Sequence, residues 1–157
     1  MGSGVHCVDL LRFVLGKEVV EVRAMTDATQ SAPLEHLAAV LLRFEDGTIA
    51  TATAGRRVPE SRNDVVVYGS LGRGEVRQSL FTDLEGTLEI NAEGTARKET
   101  YAPSDPLAMY TSQVEAFNQA VVSGTEPVGS GWDGLKVAEV TLAMVESATT
   151  GRMVLLG

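Results

Sequence analysis

The 157-residue chain, of 16.6 kDa, suits one domain spanning residues 1–157 and is long enough to hide about two-thirds of its unfolded surface on folding. Its formal net charge of −8 and pI near 4.7 oppose contact with a phosphate backbone, which excludes nucleic acid as an expected partner. One cysteine, Cys7, excludes an internal disulfide and a thiolate metal cage, and no metal site is expected.

No positively charged leader precedes a signal-peptide core, and no apolar run approaches the roughly 20 residues of a membrane helix. The expectation is a cytoplasmic protein without a membrane partner. In chain order, Gly4 to Leu15 reads as a helix, with Leu11, Val14 and Leu15 on one side, His6, Leu10 and Phe13 beside them, and Gly16 as its stop. Glu18 to Thr26 then alternates Val20, Val22 and Ala24 against Glu21 and Arg23, as a half-buried strand does. His36 to Phe44 is almost continuously apolar, and the Asp46-Gly47 pair marks a hairpin into T-I-A-T-A-T-A.

Beyond a proline-containing loop, D-V-V-V-Y, G-S-L-G-R-G and E-V-R-Q-S-L read as a second hairpin, and a turn near Glu85-Gly86 leads into T-L-E-I. Tyr110, Val114, Phe117 and Val121 trace one face of a helix that Gly124 and Pro127 end. Ser130 and Asp133 offer caps for a helix from about Gly134 to Thr149, striped by Leu135, Ala138, Leu142 and Val145. Gly151 closes it, and M-V-L-L adds an extended tail. The predicted architecture is α+β: an open, mostly antiparallel sheet of about six strands with helices packed on one face.

Three helices cover one face of such a sheet, so the other meets water or another surface. The T-I-A-T-A-T-A strand offers small residues on one side and Ile49, Thr51 and Thr53 on the other. That face suits either a two-fold contact with a copy of itself or a solvated surface.

His6 and Asp9 stand three apart on the first helix, close enough for the carboxylate to hold one imidazole nitrogen and leave the other for proton transfer. The alternative is a histidine that packs or caps at a helix start, with Asp9 favouring the positive end of the dipole. Cys7 diverges from His6 by about 100° around the helix, so a thiol-imidazole pair is not expected. His36 reads as a loop or surface residue. G-S-L-G-R-G reverses the order of the dinucleotide fingerprint and precedes a strand, so it serves a turn. Trp132 reads as a packing residue, with ligand stacking as the lesser alternative.

The blocks G-V-H-C-V-D-L-L-R-F-V-L-G, L-L-R-F-E-D-G-T-I-A, V-V-V-Y-G-S-L-G, Q-V-E-A-F-N-Q-A, D-G-L-K-V-A-E-V and E-S-A-T-T-G-R together resemble, in order, the C-terminal domain of Gfo/Idh/MocA oxidoreductases. The resemblance implies an α+β domain that shapes the pocket for a sugar- or polyol-like substrate. It also implies a homodimer through the open sheet face and a Rossmann domain partner that brings NAD or NADP. No cofactor is expected in this chain itself, which lacks a strand, glycine loop and helix for a pyrophosphate, so hydride transfer by it alone is not expected. The family's D-x-G-x-H signature falls on Gly4 and His6, which implies His6 as the acid/base, acting only with a Rossmann partner; Asp9, by its helix spacing, is the candidate orienting group. The signature's aspartate position is Gly2, and none of Lys17, Lys98 and Lys136 lies in the family's E-K-P context. The alternative function is a stand-alone, non-enzymatic dimerisation or small-ligand-binding module.

Overall fold

The computed structural model describes residues 4–29, 31–56, 58, 63–78, 86–101 and 105–157. The chain divides into two compact units, Met1–Val58 with Gly129–Gly157, and Pro59–Val128.

The first unit begins with α1 (Gly4–Leu15), which Gly16 ends by taking the left-handed backbone at φ 63° while its N–H donates to the Arg12 carbonyl at 2.8 Å. Strands β1 (Val19–Thr26), β2 (Leu37–Phe44) and β3 (Ile49–Gly55) follow as an antiparallel meander. Asp46 and Gly47 make the β2–β3 turn, with Gly47 at φ 88° and the Asp46 carboxylate accepting from the Thr48 N–H at 3.0 Å. β2, apolar almost throughout, nonetheless alternates strictly: Ala38, Val40, Leu42 and Phe44 are buried, whereas Leu37, Ala39, Leu41 and Arg43 are exposed. β1 departs from simple alternation. A bulge between Val19 and Glu21 shifts its phase, so that Val19 and Val22 are both buried and Val20 is only half-buried.

Four strands and a helix of the second unit intervene in sequence between β3 and the last helix. The unit resumes after them with a helix over Gly131–Thr150 and a two-residue strand, Val154–Leu155, which pairs with β1 to complete a sheet of four. This helix and α1 pack against each other and against β1 and β3 respectively, so the helix layer covers one face. Val8, Val19, Val22, Val40, Leu42, Phe44, Val140, Ala143 and Met144 form the core between them. Each large side chain hidden there contributes about 1.5–3 kcal/mol. The other face of the sheet carries exposed Leu37, Leu41, Ile49, Thr51, Thr53 and Met25.

The second unit holds β4 (Val65–Gly69), β5 (Gly72–Arg77), β6 (Gly86–Ala92) and β7 (Thr95–Tyr101), an antiparallel meander in chain order, followed by α2 (Pro106–Ser123). The resumed helix of the first unit is therefore α3 and its short strand β8. G-S-L-G-R-G is indeed a turn: Gly69 pairs with Gly72 across Ser70 and Leu71. Register places Val65, Val67, Val76, Leu88 and Ile90 on one side of this sheet and Tyr68, Arg73, Glu75, Arg77, Glu89 and Asn91 on the other. β7 carries charges at three successive positions, Arg97, Lys98 and Glu99, which masks its strand pattern. Its hairpin with β6 turns at Glu93 and Gly94, both at positive φ.

The α+β class and antiparallel order agree with the sequence reading. The described strands number eight rather than about six, and they form two sheets of four rather than one. The turn read near Glu85 lies outside the described residues.

Candidate active site on helix α1

The N-terminal turn of α1 presents His6 to solvent, and Asp9 follows on the same side, with its side chain 61% exposed. Opposite them, Gly4 and Val8 are buried, and Arg12, three residues beyond Asp9, is buried on the flank between. The imidazole is thus held by a helix whose inward side is anchored in the core, while its own ring stands where a ligand can approach. Asp9 also faces Arg12 Nη1 at 3.9 Å, so its carboxylate sits between the imidazole's side of the helix and a guanidinium.

Arg12 is the residue that sequence reasoning missed. Its side chain is only 7% exposed, although it occupies a helix read as apolar. Nε and Nη2 donate to the two oxygens of Glu18 at 2.9 and 2.7 Å, and Nη1 and Nη2 each lie 3.3 Å from Asp133 Oδ1. The guanidinium therefore ties α1 to the entry of β1 and to the start of α3. Its hydrogen bonds hold the Glu18 carboxyl below the ordinary carboxylate range. The Asp133 carboxyl is lowered too, first by the Ser130 backbone N–H that donates to it at 2.9 Å, then by the Ser130 hydroxyl and Arg12. Ser130 returns the contact by accepting from the Asp133 N–H, completing a capping box. The signal for Arg12 was available: an arginine among Leu10, Leu11, Phe13 and Val14, six residues before an acid.

The remaining candidates separate. Burial pushes the Cys7 thiol up, away from the thiolate a nucleophile needs. His36 is exposed ahead of β2, where its backbone N–H donates to Asp27 Oδ1 at 2.8 Å. Trp132 is exposed at the start of α3, with Lys136 Nζ 4.9 Å from its ring centroid, so the packing reading gives way to a solvent-side cation–π contact. Lys98 bonds Glu89 at 2.7 Å. Gly2 lies outside the described residues. No cluster of three or more metal-ligating side chains occurs among the described residues, nor a helix long and apolar enough to cross a membrane.

A concavity of about 510 Å³ in the same unit lies where Ser147, Gly151 and Arg152 meet the rows Arg23–Met25, Ala39–Leu41 and Thr51–Thr53. Its wall includes a hydroxyl already committed: Ser147 Oγ accepts from the Ala24 N–H at 3.0 Å and donates to the Arg152 carbonyl at 2.6 Å.

Comparison with known proteins connects this helix and fold to a family. Residues 1–75 match the model of the GFO/IDH/MocA C-terminal domain. Over 94% of its length the chain is 29% identical to 1,5-anhydro-D-fructose reductase of Ensifer adhaerens, covering 44% of that protein. It is 32% identical to D-apiose dehydrogenase of Paraburkholderia graminis over 96% of the chain and 43% of the relative. In fold it is similar to aldose-aldose oxidoreductase from Caulobacter crescentus, solved with glycerol, at a TM-score of 0.83 and 24% identity over 98% of this chain and 46% of that one. The chain thus spans under half the length of the curated relatives it matches. Residues 1–75, which carry α1 and the first strands, thus match the GFO/IDH/MocA C-terminal domain, and the α+β fold is matched across nearly all of the chain.

Proposed function

We propose that this chain is the substrate-binding and oligomerisation domain of a GFO/IDH/MocA-type NAD(P)-dependent oxidoreductase acting on sugar- or polyol-like molecules. The observation that carries the reading is an exposed imidazole, His6, on a helix whose other sides are locked into the core by Val8 and Arg12. A positioned histidine exchanges a proton with a substrate hydroxyl or carbonyl oxygen, which is the acid/base half of such a reaction. Asp9, beside it and beside Arg12, is the orienting group.

A dinucleotide requires a parallel crossover with a glycine turn at a helix N-terminus. Every described strand pair is antiparallel, and Gly69 to Gly74 form a hairpin, so the described residues do not fit such a group. No hydride step is assigned to them. The cofactor, NAD or NADP, belongs to a Rossmann-type partner domain, and the exposed face of the β3-β2-β1-β8 sheet belongs to a homodimer. A ligand-binding module without redox chemistry is the second reading, favoured by the concavity beside Ser147.

The test is to titrate the 157-residue chain with NADH and NADPH, alone and together with a Rossmann-type domain of the family, while following turnover of aldoses and polyols. The assembled pair is expected to turn over, and His6→Asn to lower kcat by about 10²–10⁴-fold with the circular dichroism unchanged. Cofactor-dependent turnover by the chain alone, or an unchanged kcat in His6→Asn, overturns the reading.

A further inference from the structure

His6, Asp9 and Arg12 recur at intervals of three on α1, so each is displaced by about 60° around the helix from the one before. They form one ridge that starts at an exposed imidazole, passes a carboxylate whose side chain is 61% exposed, and ends on a guanidinium only 7% exposed. Side chains three apart on a helix are neighbours, so Asp9 stands between the other two. The inner end of the ridge is fixed by contacts remote in sequence. Arg12 donates from Nε and Nη2 to both oxygens of Glu18, ahead of β1, and from Nη1 and Nη2 to Asp133 Oδ1 in the first turn of α3. Nη1 also lies 3.5 Å from the Asp133 carbonyl oxygen, and Asp133 Oδ2 is in turn held by the Ser130 N–H at 2.9 Å and hydroxyl at 2.7 Å. A planar guanidinium gripped on two sides has little freedom left to turn. Asp9 is held differently. Its Oδ1 lies 3.9 Å from Nη1, beyond hydrogen-bond length yet within reach of the charge. The guanidinium thus attracts this carboxylate without occupying its lone pairs.

We propose that Arg12 is a positioning residue for the acid/base: it holds the Asp9 carboxylate, which in turn orients the His6 imidazole, so that the ring takes its orientation from β1 and α3 as well as from α1. The inference rests on the proposed function for the chemistry of His6 and adds to it a residue that touches no substrate. Two observations favour this relay over a staple that only joins α1 to its neighbours. A staple needs Glu18 and Asp133, which already engage Nε, Nη1 and Nη2, yet a third carboxylate stands on the same guanidinium, on the side that leads to His6. The buried residues on the far side of the helix from His6 are Gly4 and Val8, which anchor the backbone and bring no polar side chain to the ring. A proton-transferring group displaced by about 1 Å loses much of its effect, so orientation of the ring itself matters.

The chain has two histidines, His6 and His36, so its imidazole protons give two sets of NMR signals; His6→Asn assigns them, and His36, ahead of β2, is the internal reference. Arg12→Lys keeps the charge but cannot close the fork on Glu18 and Asp133 together. At one fixed pH it is expected to move the His6 signals and leave those of His36 in place. Asp9→Asn is expected to move them too, and Arg12→Lys added to Asp9→Asn to move them no further, because the effect travels through Asp9. Glu18→Gln, which loosens the fork with Arg12 intact, gives the same comparison where Arg12→Lys does not fold. In the chain assembled with a Rossmann-type domain, Arg12→Lys is expected to lower kcat by about tenfold or more and to leave KM within about twofold. His6 signals unmoved by both Arg12→Lys and Glu18→Gln overturn the proposal. So does a shift of equal size with Asp9 present and with Asp9→Asn, which makes Arg12 a staple alone, and so does an unchanged kcat in a pair that turns over. Failure of the functional reading is distinguishable: an assembled pair without turnover, or an inert His6→Asn, removes the chemistry, and the imidazole signals still decide whether Arg12 acts through Asp9.

Discussion

Single side chains do disproportionate structural work in the first unit. Ser147 satisfies two backbone groups at once, the Ala24 N–H and the Arg152 carbonyl, at the edge of β1 beyond its short pairing with β8. Ser147→Ala leaves the Ala24 N–H unpaired in a buried setting and the Arg152 carbonyl in a part-buried one, and a loss of about 1–3 kcal/mol is expected in urea unfolding; a change below about 0.5 kcal/mol would mean that water replaces the hydroxyl. The Arg12 cluster adds a pH dependence. Glu18 and Asp133 titrate at ordinary carboxylate values, about 4, when unfolded and lower when folded. The unfolded chain therefore binds more protons in that window. Their stabilisation is complete above the ordinary range and fades as pH falls through the depressed native values. The urea midpoint is expected to drop on acidification from about pH 6 to pH 3, and to drop less in Arg12→Leu; equal slopes for the two proteins would remove Arg12 from the account. The place of His6 at a helix start was legible because residue type and helix start are local. Arg12 was not, because its partners Glu18 and Asp133 meet it only after α3 returns to α1.

Among the elements, ends were read more securely than faces. Gly16, Asp46-Gly47, Gly124 and Ser130 with Asp133 all stop or start elements where predicted, since each acts through its own backbone or within four residues. The α3 stripe of Leu135, Ala138, Leu142 and Val145 is periodic as read, yet it faces outward, and the buried side is Val140, Ala143, Met144 and Ser147. A helix with two apolar sides gives one period and two answers. On α1, Val14 is likewise exposed where Val8 and Arg12 are buried. In α2 the stripe of Tyr110, Val114, Phe117 and Val121 is exposed, and Ala120 is buried instead. The β4–β5 hairpin depends on one glycine for space: a Cβ on Gly72 would stand 2.0 Å from the Asn91 carbonyl oxygen and 2.6 Å from Ala92 Cα. Backbone of the neighbouring strand cannot yield as a side chain can. Gly72→Ala is expected to cost about 1–3 kcal/mol in chemical denaturation followed by circular dichroism, whereas Gly74→Ala, with open space around it, costs little. Equal effects at the two positions would refute the steric argument.

For the whole molecule, the division of strands between two sheets sets how much surface asks for a partner. The exposed side of β3-β2-β1-β8 combines Leu37, Leu41, Ile49 and Met25 with threonines and a Glu21–Arg43 pair at 3.1 Å. A copy of the same face offers matching apolar rows and paired charges, as an isologous contact requires. Sedimentation is expected to give twice 16.6 kDa for the native chain and a single chain's mass for Leu41→Glu, because Leu41 lies mid-strand between Arg23 and Thr51. A monomer at high concentration would leave that face to solvent.

The order of the helices and of the strands other than β7, the antiparallel hairpins, the caps and the exclusion of a disulfide follow from residue type and short spacing, because backbone conformation and turn chemistry are settled among near neighbours. The interior arginine, the buried side of α3, the bulged phase of β1 and the partition into two sheets arise from contacts between residues far apart in the chain. Those contacts depend on which surfaces meet after the chain closes, and a periodic pattern records only that an apolar side exists, not what it will touch.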